Sequence, residues 1–323
     1  MIKAICSILT GIALITSSVL SWSQEFPTRA VRVIVPYSAG GPADIVARML
    51  AQRLAKQLGQ PVISENKLGA GGAIALDAVA KAAPDGHTLL FTASPTFTIS
   101  PHITQSLPYD VFADFTPLLT VVDYANVLLV NSQFQANSLA DLVNHARANP
   151  GKVTFSSAGI GTSNHLAGEL LATVTGTKLV HVPYKGNAPA TMAVTTNEVT
   201  FFFDAGGTAI QQIKGGRVKG LAVTSVDRNR MLPDLPTMGE SGIPNFELVG
   251  WYGFLAPARL PDAISRKFIE TLKGVMAGPA VGEDLVKQGF DVRVMSGSDF
   301  AARMRKEYEL YAKVVRDAKI QKQ

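Results

Sequence analysis

The stretch Val31-Arg-Val-Ile-Val-Pro-Tyr-Ser-Ala-Gly-Gly-Pro-Ala-Asp-Ile-Val-Ala-Arg-Met-Leu50 decides the fold class. Its first five residues are β-branched or alternating and end at Pro36, which marks a short strand. Beyond Gly40-Gly41 the period changes. Val46, Leu50, Leu54 and Leu58 recur at helical spacing, with Arg48, Gln52, Arg53 and Lys56 between them and Gly59 and Pro61 as stops. A strand, a glycine turn and an amphipathic helix in that order form half of a βαβ unit.

Outward from this stretch the alternation continues. Val62-Ile63 reads as a strand, Ala73 to Ala82 as a helix, and Thr88 to Thr92 as a third strand. A Pro- and Thr-rich loop follows, then two strand-like runs, Leu118 to Val122 and Val127 to Val130. Leu139 to Ala148 is helical, Val153 to Ser156 extended, and Leu166 to Val174 helical. Leu179 to Val182, Val199 to Phe203 and Val218 to Thr224 are further strands, with short helical stretches between them. Such alternation implies parallel sheets covered by helices, so the class is α/β. Met231 to Glu247 is rich in Pro, Gly and charge and reads as an extended loop, and Leu248 to Leu255 as an aromatic strand. The tail is helical, with a stripe of Phe300, Met304, Tyr311, Val314 and Val315 behind a Ser298 cap.

The first residues have a different character. Lys3 precedes a nearly continuous apolar run from Ala4 to Leu20, and Ser21 and Ser23 place small residues before Gln24. This is the pattern of a secretory signal peptide over residues 1–23, cleaved near Ser23, and it predicts export to the periplasm. Cys6, the only cysteine, lies within it, so the mature chain has no disulfide and no cysteine metal site. Without Lys3 the chain carries 29 basic and 25 acidic residues, spread without a basic block. That argues against a nucleic-acid partner.

Glycine-rich turns before helices are the informative feature. Gly40-Gly41, Gly69-Ala-Gly-Gly72 and Gly159-Ile-Gly-Thr-Ser163 each stand where a helix N-terminus leaves backbone N–H groups free. Those donors and the helix dipole suit an anion. One such turn in each half of the chain would let two lobes grip one anion. No GxxxxGK[ST] occurs and no turn completes a dinucleotide fingerprint. Neither a GxSxG elbow nor HExxH is present, so nothing points to an enzyme, a cofactor or a metal. The five histidines lack metal-ligand spacing, although His165 abuts the Gly159–Ser163 turn. Asp44 and Arg48 sit four apart, as an ion pair on one helix face would. A secreted hydrolase with a triad assembled from distant residues stays open as an alternative.

Longer motifs carry a resemblance. Pro36-Tyr-Ser-Ala-Gly-Gly-Pro-Ala-Asp-Ile-Val-Ala-Arg48, Glu65-Asn-Lys-Leu-Gly-Ala-Gly-Gly72 and Pro84-Asp-Gly86 open the series. Ala158-Gly-Ile-Gly-Thr-Ser-Asn-His-Leu166, His181-Val-Pro-Tyr-Lys-Gly186 and Leu221-Ala-Val-Thr-Ser225 continue it. Leu232-Pro-Asp-Leu-Pro-Thr237 and Trp251-Tyr-Gly-Phe-Leu-Ala-Pro257 complete it. In this order they resemble the Bug, or TctC-type, solute-binding proteins of tripartite tricarboxylate transporters. The resemblance implies a type II periplasmic binding fold, with two α/β lobes around a ligand cleft. Its two crossing segments fall near Asp123 and Leu248, giving lobe 1 residues 24–123 and 248–323 and lobe 2 residues 124–247. It implies a small organic carboxylate held by backbone N–H groups and water. Carried over by position, the contacts are Tyr37, Ala39, Gly40, Gly41, Ser94 and Thr96 in lobe 1, and Gly161, Thr162, Ser163, His165 and Asp204 in lobe 2. The implied partners are the membrane subunits of such a transporter, with a membrane sensor as the alternative, and the carrier is expected to be a monomer. Departures from the pattern lie at Ser94-Pro-Thr-Phe-Thr98, Thr196-Asn197-Glu198 and Asp204-Ala-Gly-Gly-Thr208. In the last of these, Gly206 and Gly207 are expected to enlarge the distal pocket.

Overall fold

A computed structural model describes residues 26–317 and 320–322; the expected signal peptide, with Cys6, lies outside the described residues. Strand β1 (Val31–Val35) buries Val31, Val33, Ile34 and Val35, as a strand covered on both faces should. Helix α1 (Pro42–Leu58) packs Val46, Leu50 and Leu54 inward and ends at Gly59, whose φ of 67° is open to glycine at little cost. β2 (Val62–Asn66), α2 (Ala73–Ala80) and β3 (Thr88–Ala93) complete the first run. The Pro- and Thr-rich segment is not a plain loop. It forms two single turns, α3 (Pro95–Thr98) and α4 (Ser100–Ile103), because prolines at the helix starts preset φ and Thr98 donates its hydroxyl to the Ser94 carbonyl.

The two strand-like runs that follow are one strand, β4 (Phe115–Asn131), since neither Gly nor Pro interrupts Asp123 to Asn126. The second run then reads α5 (Leu139–Ala148), β5 (Val153–Ser157), α6 (Ser163–Thr175), β6 (Leu179–Pro183), α7 (Asn187–Thr195), β7 (Phe201–Ala205), α8 (Gly206–Lys214) and β8 (Val218–Val223). β9 (Val249–Pro257) follows, then α9 (Asp262–Met276), α10 (Pro279–Lys287), β10 (Asp291–Val292) and α11 (Gly297–Asp317). α11 begins at Gly297, so Ser298 lies inside its first turn and is not the cap. No described helix is long and apolar enough to cross a membrane.

The main strand order is β2-β1-β3-β9-β4-β7-β5-β6. The outer pairs β1–β2, β1–β3, β5–β6 and β5–β7 are parallel, as helix crossovers demand. The centre differs from the all-parallel expectation. β9 runs antiparallel to β3 and β4, and β4 antiparallel to β7 and β8. Long Pro-rich connections lead into β4 and β9, so no crossover helix fixes their direction. β4 pairs with β9 through Phe115–Ala125 and with β7 from Asn126 onward, which joins the two halves of the sheet. α11 straddles the same junction. Phe300 and Met304 enter the core beside Trp251, while Tyr311 and Val315 enter the core around Phe201 and Phe203. Arg303 of this helix clasps Asp123 at 2.7 Å, and the Trp251 indole donates to Glu307 at 2.9 Å.

Candidate functional site

A cavity partly open to solvent lies between the two glycine-turn helices. From the first half come Tyr37, Ala43, Pro95 and Thr96; from the second, Ala158, Thr162, Ser163, Asn164 and Asn187; Tyr124 and Tyr252 arrive on β4 and β9. No Lys, Arg or His lines it among the described residues.

Donors therefore come from the backbone, and their accounting is informative. α1 starts with Pro42, which has no N–H, and its N-cap Gly41 offers no side chain; the first helical bond is Ile45 N–H to the Gly41 carbonyl. Ala43 and Asp44 N–H are left without a partner among the described residues. In α6 the Thr162 hydroxyl accepts from His165 N–H, and Leu166 N–H bonds the Thr162 carbonyl. Ser163 and Asn164 N–H are left in the same state. Two opposed helix starts thus bring four unspent donors to the cavity region.

Each turn has its own support. Asp44 is 2% exposed, and its carboxylate accepts from Gly40 N–H at 2.9 Å, Arg48 at 2.9 Å and Asn66 at 2.8 Å. Burial pushes this carboxyl up, but those three bonds outweigh it and hold it below the usual range. Behind the second turn, His165 is fully buried, and its Nδ1 accepts from Gly161 N–H at 3.4 Å. Its ring stacks on His181 at 4.1 Å and 20°, and His181 Nε2 meets the Ser157 hydroxyl at 2.6 Å. Burial depresses His165 to about 3, with help from His181, and depresses His181 to about 4. Both rings are neutral at pH 7, so the 3.8 Å approach of His165 to Glu169 is no ion pair. His165, Glu169 and His181 bring their ligating atoms within 4.8 Å of one another. Nearly parallel rings cannot both aim an in-plane lone pair at one ion, so this arrangement is a packed polar stack.

Of the residues expected from sequence, Tyr37, Thr96, Thr162 and Ser163 line the cavity. Gly40, Gly41 and Gly161 shape the turns: Gly40 has a φ of 75° and Gly161 of 85°. Ala39 is exposed beside the first turn. Ser94 is tied to β9, its N–H bonding the Trp251 carbonyl at 2.9 Å. His165 stands behind the second turn. Asp204 is fully buried beneath Asn187, whose Nδ2 donates to it at 2.8 Å; Thr191 donates to its other oxygen at 3.1 Å. Burial raises the Asp204 carboxyl to about 6. Tyr124, Tyr252 and Asn187 were not expected, because they come from the sheet centre and a separate helix start. The Gly186–Asn187 helix start was a readable signal for the last of these.

The expectation for Gly206 and Gly207 is corrected. Neither lines the cavity; a Cβ on Gly206 would fall 2.6 Å from the Gly289 carbonyl oxygen, and one on Gly207 2.6 Å from that of Gln288. They let α8 approach the α10–β10 turn closely. The halves touch elsewhere too. Ser38 Oγ accepts from Ala188 N–H at 3.3 Å, and Ser100 donates to the Gly161 carbonyl at 3.2 Å.

Residues 46–319 match the model of the tripartite tricarboxylate transporter family receptor. The chain belongs to this family. As a member of the receptor family it is 33% identical to protein BugT of Bordetella pertussis over 296 residues, 91% of each chain. It superposes on R. palustris Rpa4515 with adipate at a TM-score of 0.90, with 30% identity, covering 93% of this chain and 100% of that one. MatC of Rhodopseudomonas palustris with bound malate matches at 0.85, with 31% identity, 90% of this chain and 100% of that one. The receptor family and these neighbours are solute-binding proteins, not enzymes.

Proposed function

We propose that the protein captures a small organic carboxylate in the cavity between its two halves, outside the cytoplasmic membrane, and delivers it to the membrane subunits of a tripartite tricarboxylate-type transporter. The observation that carries this reading is the set of unspent N–H groups of Ala43, Asp44, Ser163 and Asn164, offered by two opposed helix starts. Two dipoles and four donors suit one carboxylate, which has about four lone-pair sites. The adipate and malate of its relatives are carboxylates as well. On this reading residues 1–23 are a leader cleaved near Ser23, the halves divide at Asp123 and Leu248, and closure is a hinge motion about β4 and β9.

The test is a thermal-shift screen of the mature, ligand-stripped protein against small carboxylates and their matched amides. Ligand at a hundredfold excess over Kd stabilises by about 2.7 kcal/mol, a shift of a few degrees. Acids are expected to shift the transition and amides are not. Equal shifts from an acid and its amide would refute an anion-gripping cavity.

A further inference from the structure

Proton bookkeeping around the cavity goes further than the carboxylate grip. Asp204 is buried without a cationic partner among the described residues, and Asn187 and Thr191 donate to its oxygens. A carboxylate only accepts hydrogen bonds, so it fixes which end of the Asn187 amide faces it: Nδ2 points at Asp204 and Oδ1 points away. Asn187 lines the cavity, and its Oδ1 makes no hydrogen bond among the described residues.

The hydroxyls of Tyr37, Thr92, Thr96 and Thr162 have spent their protons. Thr96 donates to the Ala93 carbonyl at 2.8 Å, so in its 3.1 Å contact with Thr92 it accepts. Thr92 then accepts from Tyr37 at 3.3 Å, and the Tyr37 oxygen accepts from Ala93 N–H at 3.2 Å. Thr162 likewise donates to the Gly159 carbonyl at 2.6 Å. These walls present lone pairs. With the helix-start donors occupied by one carboxylate, the remaining wall combines these acceptors and Asn187 Oδ1 with the hydroxyls of Ser163, Tyr124 and Tyr252, and it lacks a cation among the described residues. A second carboxylate there would face lone pairs and the Asp204 charge, whereas a hydroxyl or ammonium would complete them.

We infer that Asn187, held in one orientation by Asp204, is the specificity-determining residue, selecting a carboxylate with a hydrogen-bond donor at its other end over one with a second carboxylate. This rests on the carboxylate reading given above. Asn187 acts as the selector and Asp204 as its positioning residue.

The experiment is calorimetry with four probes of equal chain length: butyrate, 4-hydroxybutyrate, 4-aminobutyrate and succinate, plus 4-hydroxybutyramide. The hydroxy or amino acid is expected to bind at least tenfold more tightly than succinate, and which of the two leads separates a neutral donor from a charged one. In Asn187→Leu that preference should fall to within threefold. Asn187→Ser, whose shorter side chain draws its oxygen back from the cavity, should do the same if the leucine variant folds poorly. Asp204→Asn should also narrow the preference, because the amide can then turn over. Wild-type preference for succinate, or an unchanged ratio in both Asn187 variants, overturns the inference and leaves the carboxylate reading standing. Binding of the amide as tightly as its acid, or of no acid at all, overturns both.

Discussion

The two helix starts that face each other across the cavity leave the same pair of N–H groups unspent and hold them by opposite means. The first turn is stiffened by a carboxylate. Asp44 gathers Gly40, Arg48 and Asn66 at the protein edge, where Arg48 is half exposed and α1 has no side-chain cap. The second turn is stiffened by burial. Thr162 caps α6, and a neutral histidine stack lies beneath, with His165 wholly enclosed. The two sides of one cavity are thus held by charge on one side and by packing on the other. The two supports should fail under different stresses.

The largest expected effect tests packing. Gly161→Ala should reduce ligand affinity at least a hundredfold in a titration, because φ is 85° and the new methyl would strike Ser100 from the opposite half. Gly40→Ala carries a similar strain at φ 75° but has nothing within 4 Å, so its cost should stay near 1 kcal/mol. Equal losses in the two variants would erase the contrast between the turns.

Acid should find the second turn first. His181, held near 4 against 6.5 in the unfolded chain, stays neutral while the unfolded chain takes up a proton, so its contribution is present above pH 6.5 and is lost as pH falls toward about 4. Replacing it in His181→Gln should therefore make the variant gain on the wild type by about 1.4 kcal/mol per pH unit across that window, read from urea midpoints. Asp44 behaves oppositely in position: its depressed carboxyl contributes above about 3.8 and is lost only below that. Asp204 and Glu169, both raised by burial, run with the reverse sign, which is why the wild-type minus variant difference is the quantity to measure. Parallel pH curves for the two proteins would mean that the stack titrates as it does in solution.

A smaller pair of substitutions sharpens the same contrast. Asp44→Ala leaves Gly40 N–H and the Asn66 amide short of an acceptor and should cost about 2 kcal/mol; Arg48 is exposed enough to be rehydrated. Thr162→Ala removes one cap bond and should cost about 1 kcal/mol. Denaturant unfolding of both decides whether the charged support is the stronger one.

Much of this was readable along the chain. The four-residue spacing of Val46, Leu50 and Leu54, the change of period at Gly40-Gly41 and the β-branched runs depend on φ/ψ preferences and side-chain direction within a few residues, and each appears as a strand, turn or helix where expected. Glycine turns before helices likewise announce free N–H groups, whatever surrounds them. Positions set by pairing at long range were not readable. β4 and β9 run antiparallel through the centre, and so Tyr124 and Tyr252 reach the cavity from residues that carry no local binding signal. Asp204 lies behind Asn187 and not in the wall, because α7 covers the end of β7. His165 and His181 lie on different elements and lack metal-ligand spacing, yet the packing of α6 against β6 stacks their rings. Gly206 and Gly207 turned out to serve a backbone contact because the Gln288–Gly289 turn returns from the far end of the chain. Short-range sterics and periodicity wrote the elements and the glycine turns into the sequence; strand pairing between distant segments decided which side chains complete the cavity and which way their hydrogen bonds point.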